Sequence, residues 1–209
     1  MRIAPMLLCS ACTTVSIAAS DDPPSSVRER LERDDTQLLM SPSDSAGVIT
    51  AARRTSDGWQ TGIVDLHVEA GELVLSADAG GAITLQHFAL ALAPIDVPAS
   101  VIGHGAQLSQ VRLDVAKPVR VDASWTDDND SHGKVELDLV LSWALVVDGS
   151  TAPLGAPNLP AVPGELVLSG DGSVVHAGLR IHAPGELWSW AGLVKLEDLE
   201  LVLAAQTSY

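Results

Sequence analysis

From Val135 to Val147 every second residue is apolar: Val135, Leu137, Leu139, Leu141, Trp143, Leu145 and Val147. No α-helix gathers such a series on one face, because helical side chains return after about 3.6 residues and strand side chains after two. The opposite face opens with Glu136 and Asp138 and then turns to Val140, Ser142, Ala144 and Val146. That change describes a strand half-buried at its start and covered on both faces toward its end. About fourteen residues at roughly 3.3 Å each reach some 45 Å, so the strand is expected to bend or to serve two sheets in turn.

The same period runs through the chain beyond Gly47. Val64, Leu66 and Val68 share a face, as do Leu73 and Leu75, Val111, Leu113 and Val115, and Val119, Val121, Ala123 and Trp125. Leu166 with Leu168, Leu179 with Ile181, and Leu199, Leu201 and Leu203 follow. The phase slips where Ile83 and Leu85 give way to Phe88, Leu90 and Leu92, and again where Val194 and Leu196 give way to Leu199. One extra residue that flips the inward face marks a β-bulge. Turns fall at Asp57-Gly58, Ala79-Gly80-Gly81, Asp148-Gly149 and Asp171-Gly172. These signals predict an all-β domain over 47–209, an antiparallel sandwich or a closed or half-open barrel of about nine to eleven strands. The segment 149–164 carries four prolines and is expected to be a long crossover outside the central strands.

Residues 21–46 form a polar leader with a short helix. Ser26 and Glu29 fit a capping box, and Arg28/Glu32, Glu29/Arg33 and Arg30/Asp34 are opposite charges four apart, predicting a helix over about 27–39. Its apolar stripe (Val27, Leu31, Leu38) is thin, so the helix is expected to lie loosely on the domain or to act as a spacer.

Residues 1–20 carry Arg2, then an apolar stretch, then Ala18-Ala19-Ser20 before the acidic Asp21-Asp22, the order of a secretory signal peptide. The chain is therefore expected to be exported, to the periplasm or to the outer membrane. Both cysteines, Cys9 and Cys12, lie in this segment. Leu8-Cys9-Ser10-Ala11-Cys12 resembles a lipobox, with Cys9 where leucine is usual; on that resemblance Cys12 is the site of lipid attachment and the protein is lipid-anchored. Cleavage after Ser20 instead leaves a mature chain without cysteine.

Charge excludes some partners. Lys and Arg number 12 against 27 Asp and Glu, a formal charge of −15, and no basic cluster exists to meet nucleic acid phosphates. After the first twenty positions no apolar run is long enough for a transmembrane helix. The terminal Tyr209 after Leu199, Leu201 and Leu203 resembles the closing strand of an outer-membrane barrel. One Tyr, one Phe and the doubly apolar 140–147 do not supply that class's aromatic girdles and strict alternation.

Few residues announce chemistry. Asp128-x-Asp130-x-His132-Gly133 partly resembles a calcium loop, with His132 where an oxygen is wanted and Leu139 at the position of the closing glutamate. Asp128 and Asp130 are thus weak metal candidates in what otherwise reads as a solvated hairpin turn. His176, Arg180 and His182 share the polar face of one strand. No G-x-S-x-G elbow, P-loop or cofactor motif is present, so no catalytic residue and no cofactor is assigned. Trp188 and Trp190 lie two apart and point to one face, as a core plug, a ligand rim or an interface anchor. The repeated Gly-Glu-Leu-Val-Leu-Ser at 71–76 and 164–169 has flanks that do not align, and reads as a turn-to-strand phrase used twice.

The functional expectation is an exported, non-catalytic β-domain of the bacterial cell envelope that binds or carries a lipid or another apolar ligand. The alternative is a structural or protein-interaction module of the envelope, and the third a hydrolase whose site is assembled across strands.

Overall fold

Every strand pairing among the described residues is antiparallel, and the pairings close on themselves. The computed structural model describes residues 22–97, 106–147, 149–153, 157–190 and 194–207, except the side chains of 147, 152, 153 and 190. A helix, α1 (Val27–Arg33), precedes thirteen strands. They are β1 (Thr36–Met40), β2 (Ala46–Thr55), β3 (Gly58–Ala77), β4 (Ile83–Leu92), β5 (Ile95–Val97), β6 (Ala106–Val115) and β7 (Val119–Arg120). There follow β8 (Asp122–Trp125), β9 (Ser131–Val147), β10 (Ser150–Pro153), β11 (Asn158–Gly170), β12 (Val175–Trp190) and β13 (Val194–Thr207).

Hydrogen-bonded neighbours run β3–β2–β13–β12–β11–β9–β6–β4 and back from β4 to β3. Interrupted strands complete the wall. β1 continues β2 between β3 and β13, β5 continues β4 beside β6, β7 and β8 continue β6, and β10 precedes β11 along β9. The thirteen segments therefore make eight staves of an up-and-down closed barrel, and the sandwich alternative falls away. The expected nine to eleven strands undercount the segments because several staves are broken partway.

The interior is apolar. Leu38, Leu73, Leu75, Ile83, Phe88, Leu137, Leu139 and Val175 have no exposed surface at all. A side chain beside a water-sized void keeps accessible area, so this part of the lumen is filled with side chains. The outer wall is polar around its waist: Asp65, His67, Glu69, Arg112, Lys134, Glu136, Glu165, Arg180, His182 and Glu200 are all exposed. His87 Nε2 lies 3.2 Å from Glu72 Oε1, and His182 Nδ1 lies 3.3 Å from Glu200 Oε1, both on that outer face.

The helix closes one end and is shorter than expected. Ser26 Oγ accepts from the Glu29 N–H at 3.2 Å, as the capping box requires, while Glu29 Oε2 accepts from the Ser25 N–H at 2.6 Å. Arg28 pairs with Glu32 at 2.9 Å and Arg33 with Glu29. Arg30 turns away from Asp34 and donates to the carbonyls of Gly172 and Ser173. At Asp34 the backbone becomes extended, and Thr36–Met40 alternates buried and exposed as a strand. Residues 36–39 are thus strand, not the end of the helix: one buried position in two serves a wall better than one stripe in a turn. Nor does the helix lie loosely, since Val27 and Leu31 are fully buried under it. The Val27 N–H donates to Asn129 Oδ1 at 3.1 Å, tying it to the turn before β9.

The proline-rich segment is a second correction. Instead of crossing over, residues 150–153 and 158–170 form a stave against β9. The register shifts between Leu159 and Val162, so Pro160 sits in a bulge, where its missing N–H costs no ladder bond. Ala161, at φ 52°, donates its N–H to Asp138 Oδ1 at 3.1 Å, and Lys117 Nζ holds the same carboxylate at 2.9 Å. Those two contacts, the lysine first, keep the Asp138 carboxyl below its ordinary range. The two slips read from the sequence are bulges as well: β3 against β4 shifts at Val74/Leu75, and β13 against β2 shifts between Glu197 and Glu200.

Candidate functional site

The wall is weakest between β4–β5 and β6. β4 meets β6 through Ala89–Ala91 against Arg112–Asp114, and β5 meets it through Ile95–Val97 against Ala106–Leu108. Between these two short ladders the staves are not paired. Pro94 has no N–H to give, and Ala93 donates to His67 O on the other neighbouring stave at 2.9 Å. Across the gap Gln110 adopts φ 55°, and the register between β6 and β9 slips between Ser109 and Arg112. A bulge on one side and a proline on the other hold the staves apart.

A cleft of about 470 Å³ occupies this gap, lined by Glu69, Ala91, Leu92, Pro94, Gln110, Val111, Arg112, Ser142 and Trp143. Successive strand residues face opposite sides of a sheet. Ala91 with Leu92, Val111 with Arg112, and Ser142 with Trp143 therefore bring both faces of the wall to one cleft, which cuts into the wall from outside. Its inner part is apolar (Leu92, Val111 and Trp143 are buried) and its rim carries Glu69 and Arg112, both exposed. Arg112 makes no ion pair with another described residue.

Trp143 forms the floor. It is 5% exposed, and its Nε1 is buried without a hydrogen-bond partner among the described residues. Its ring meets that of Trp188 edge to face, centroids 5.5 Å apart. The register puts Trp188 opposite Leu196 and Trp190 opposite Val194. The side chain of Trp190 lies outside the described set. Trp143 was legible only as one apolar step among seven, because nothing in the alternation tells where its N–H finds an acceptor.

The turn carrying Asp128 and Asp130 serves the helix. Asp127 Oδ1 accepts from the Asn129 and Asp130 N–H groups, the Asp128 carbonyl accepts from the Arg28 N–H, and the Asp128 carboxylate lies 3.9 Å from the Arg28 guanidinium. Among the described residues no group of three or more His, Cys, Asp or Glu side chains is placed to hold a metal ion. Likewise no described helix is long and apolar enough to cross a membrane. Cys12 and the signal-like segment lie outside the described residues, as does Tyr209.

No family model matches this chain, and no curated protein matches it. Among solved structures it is similar to Ail, the attachment invasion locus protein of Yersinia pestis, over 83% of this chain and 99% of that one, with 7% identity and a TM-score of 0.38. A likeness so slight carries nothing about use, and the class of this chain rests on its own strand pairings: a closed, eight-stave antiparallel barrel.

Proposed function

We propose that this chain is an exported, non-catalytic envelope protein that binds a small apolar molecule in the cleft over Trp143. The observation that carries the reading is the break in the wall, where an apolar floor is open to the outside at a volume typical of ligand pockets. The filled lumen beside Phe88 and Leu137 argues against a ligand swallowed whole by the barrel and favours one held in the wall. Charged side chains around the waist favour a barrel surrounded by water, since a lipid-facing wall needs an apolar band about 25 Å tall. Export and lipid attachment at Cys12 remain parts of this proposal and rest on residues 1–20.

The test is titration with Nile red, an uncharged apolar dye. Saturable binding at one site, lost when Ala91→Trp fills the cleft, supports the reading; absence of saturable binding to the folded chain overturns it.

A second reading, an envelope interaction module, is favoured by the β2–β3 hairpin. There Ile63 is 75% exposed and Trp59 stands out with Lys195 Nζ 4.7 Å from its ring centroid. A protein partner retained by the wild type and lost with Ile63→Asp, together with failure of the dye titration, would decide for it.

A further inference from the structure

We infer that the cleft selects an amphiphile with a zwitterionic head: Arg112 takes the head's anionic group, Glu69 its cationic group, and the apolar floor the hydrocarbon body. The inference rests on the binding function proposed above and deepens it.

Bulges place both charges. β3 slips against β4 between Val68 and Ala70, so Glu69 and Ala70 are exposed in succession where strict alternation would turn one of them inward. Arg112 is the first residue back in register after the slip of β6 against β9. The two charged residues therefore stand on the outer face on either side of β4, whose Ala91 pairs with Ala70 on β3 and with Arg112 on β6. Two stave spacings put their backbones roughly 10 Å apart. The wall between them carries only the methyl groups of Ala70 and Ala91, and both charged residues line the cleft.

Glu69 and Arg112 pair neither with each other nor with another described residue. Next along β3, Glu72 is already engaged: it accepts from Gln37 at 2.5 Å and lies 3.2 Å from His87 Nε2. The rim of the cleft thus offers one charge of each sign above the buried Leu92, Val111 and Trp143. That floor removes any hydrocarbon body from water, so the rim decides among heads. A zwitterionic head meets an opposite charge on both sides. An anionic head meets Arg112 but also Glu69 and the field of a chain of formal charge −15. A cationic head meets Glu69 and is opposed by Arg112, and an uncharged head gains from neither.

The experiment titrates the folded chain at pH 7 and low salt, by calorimetry, with four probes that share one hydrocarbon tail. They are decylphosphocholine, decyl sulfate, decyltrimethylammonium and decanol, each kept below its micelle concentration. Decylphosphocholine is expected to bind tightest, about fivefold tighter than decanol, the scale of two exposed ion pairs. Glu69→Gln strengthens decyl sulfate relative to decylphosphocholine, and Arg112→Gln does the same for decyltrimethylammonium. Glu69→Arg combined with Arg112→Glu restores the preference for decylphosphocholine, and every variant still binds Nile red. The inference is overturned, with the binding function standing on Nile red, if decanol equals decylphosphocholine or a singly charged probe binds tightest. Single variants that leave the ranking unmoved, or Nile red binding with none of the four probes bound, overturn it equally. If Nile red does not bind either, the binding function itself is overturned.

Discussion

The indole of Trp188 stands edge-on to that of Trp143, with ring centroids 5.5 Å apart and planes inclined by 77°. The pair joins β12 to β9 across the barrel interior, and the contact holds the ring that lines the cleft. Edge-to-face aromatic pairs contribute about 0.5–1.5 kcal/mol beyond the area they bury. Trp188→Leu keeps an apolar side chain and removes the edge contact. The expected loss is about 1–3 kcal/mol in urea unfolding, together with weaker Nile red binding. Unchanged stability and binding would show that Trp143 is held by other neighbours.

Gln110 pays for the break in the wall with a left-handed backbone at φ 55°. A side chain in that region costs roughly 1 kcal/mol, which glycine avoids, although glycine also has more freedom to lose on folding. Gln110→Gly is therefore expected to hold or raise stability by up to about 1 kcal/mol, while Gln110→Val, β-branched and unable to relax there, lowers it by more than 1 kcal/mol. Denaturant midpoints of the two variants check this. A valine variant as stable as the glycine one would contradict the bulge geometry.

Four carboxylates are held below their ordinary values by hydrogen bonds made only in the folded chain. Asp78 accepts from the Ala82 and Gly80 N–H groups, Asp171 from Ser173 and Val174, Glu29 from Ser25, and Asp138 from Lys117 and Ala161. A depressed folded value means that the stabilisation is complete above the ordinary values, 3.8 for Asp and 4.5 for Glu, and is lost as pH falls through the folded ones. The urea midpoint should be level across these groups' range above about pH 5 and fall below pH 4, and Asp78→Asn should flatten part of that fall. A midpoint unchanged down to pH 3 would contradict the assignment.

How much of this was legible depended on whether a feature repeats. Val135 to Val147 repeats, and its alternation gave the strand, its inward face and the all-β class. The slips at Phe88 and Leu199 were legible because large apolar residues mark the phase on both sides of each. At Gln110 and Ala161 a single large apolar residue, Leu108 or Leu159, precedes the slip, too short a run to set a phase, so the bulges passed unseen. The prolines of 149–164 misled because the rule against proline assumes an unbroken ladder, and Pro160 lies in a bulge. Opposite charges four apart carried the helix reading past Arg33, although Asp34, Asp35 and the buried alternation of Thr36, Leu38 and Met40 end it. For the site, the two-residue spacing drew attention to Trp188, but its contact with Trp143 and the cleft depend on contacts between staves that no local pattern encodes.

The central claim is that the apolar side chains of this barrel face inward and the charged ones face water. Near-ultraviolet circular dichroism of the chain beginning at Asp22, in buffer without detergent, tests it most directly, because the Trp143–Trp188 pair is ordered only in the folded barrel. The account predicts a structured tryptophan signal that melts cooperatively in that buffer and gains nothing from micelles. A chain that shows the signal only after detergent or lipid is added would contradict it.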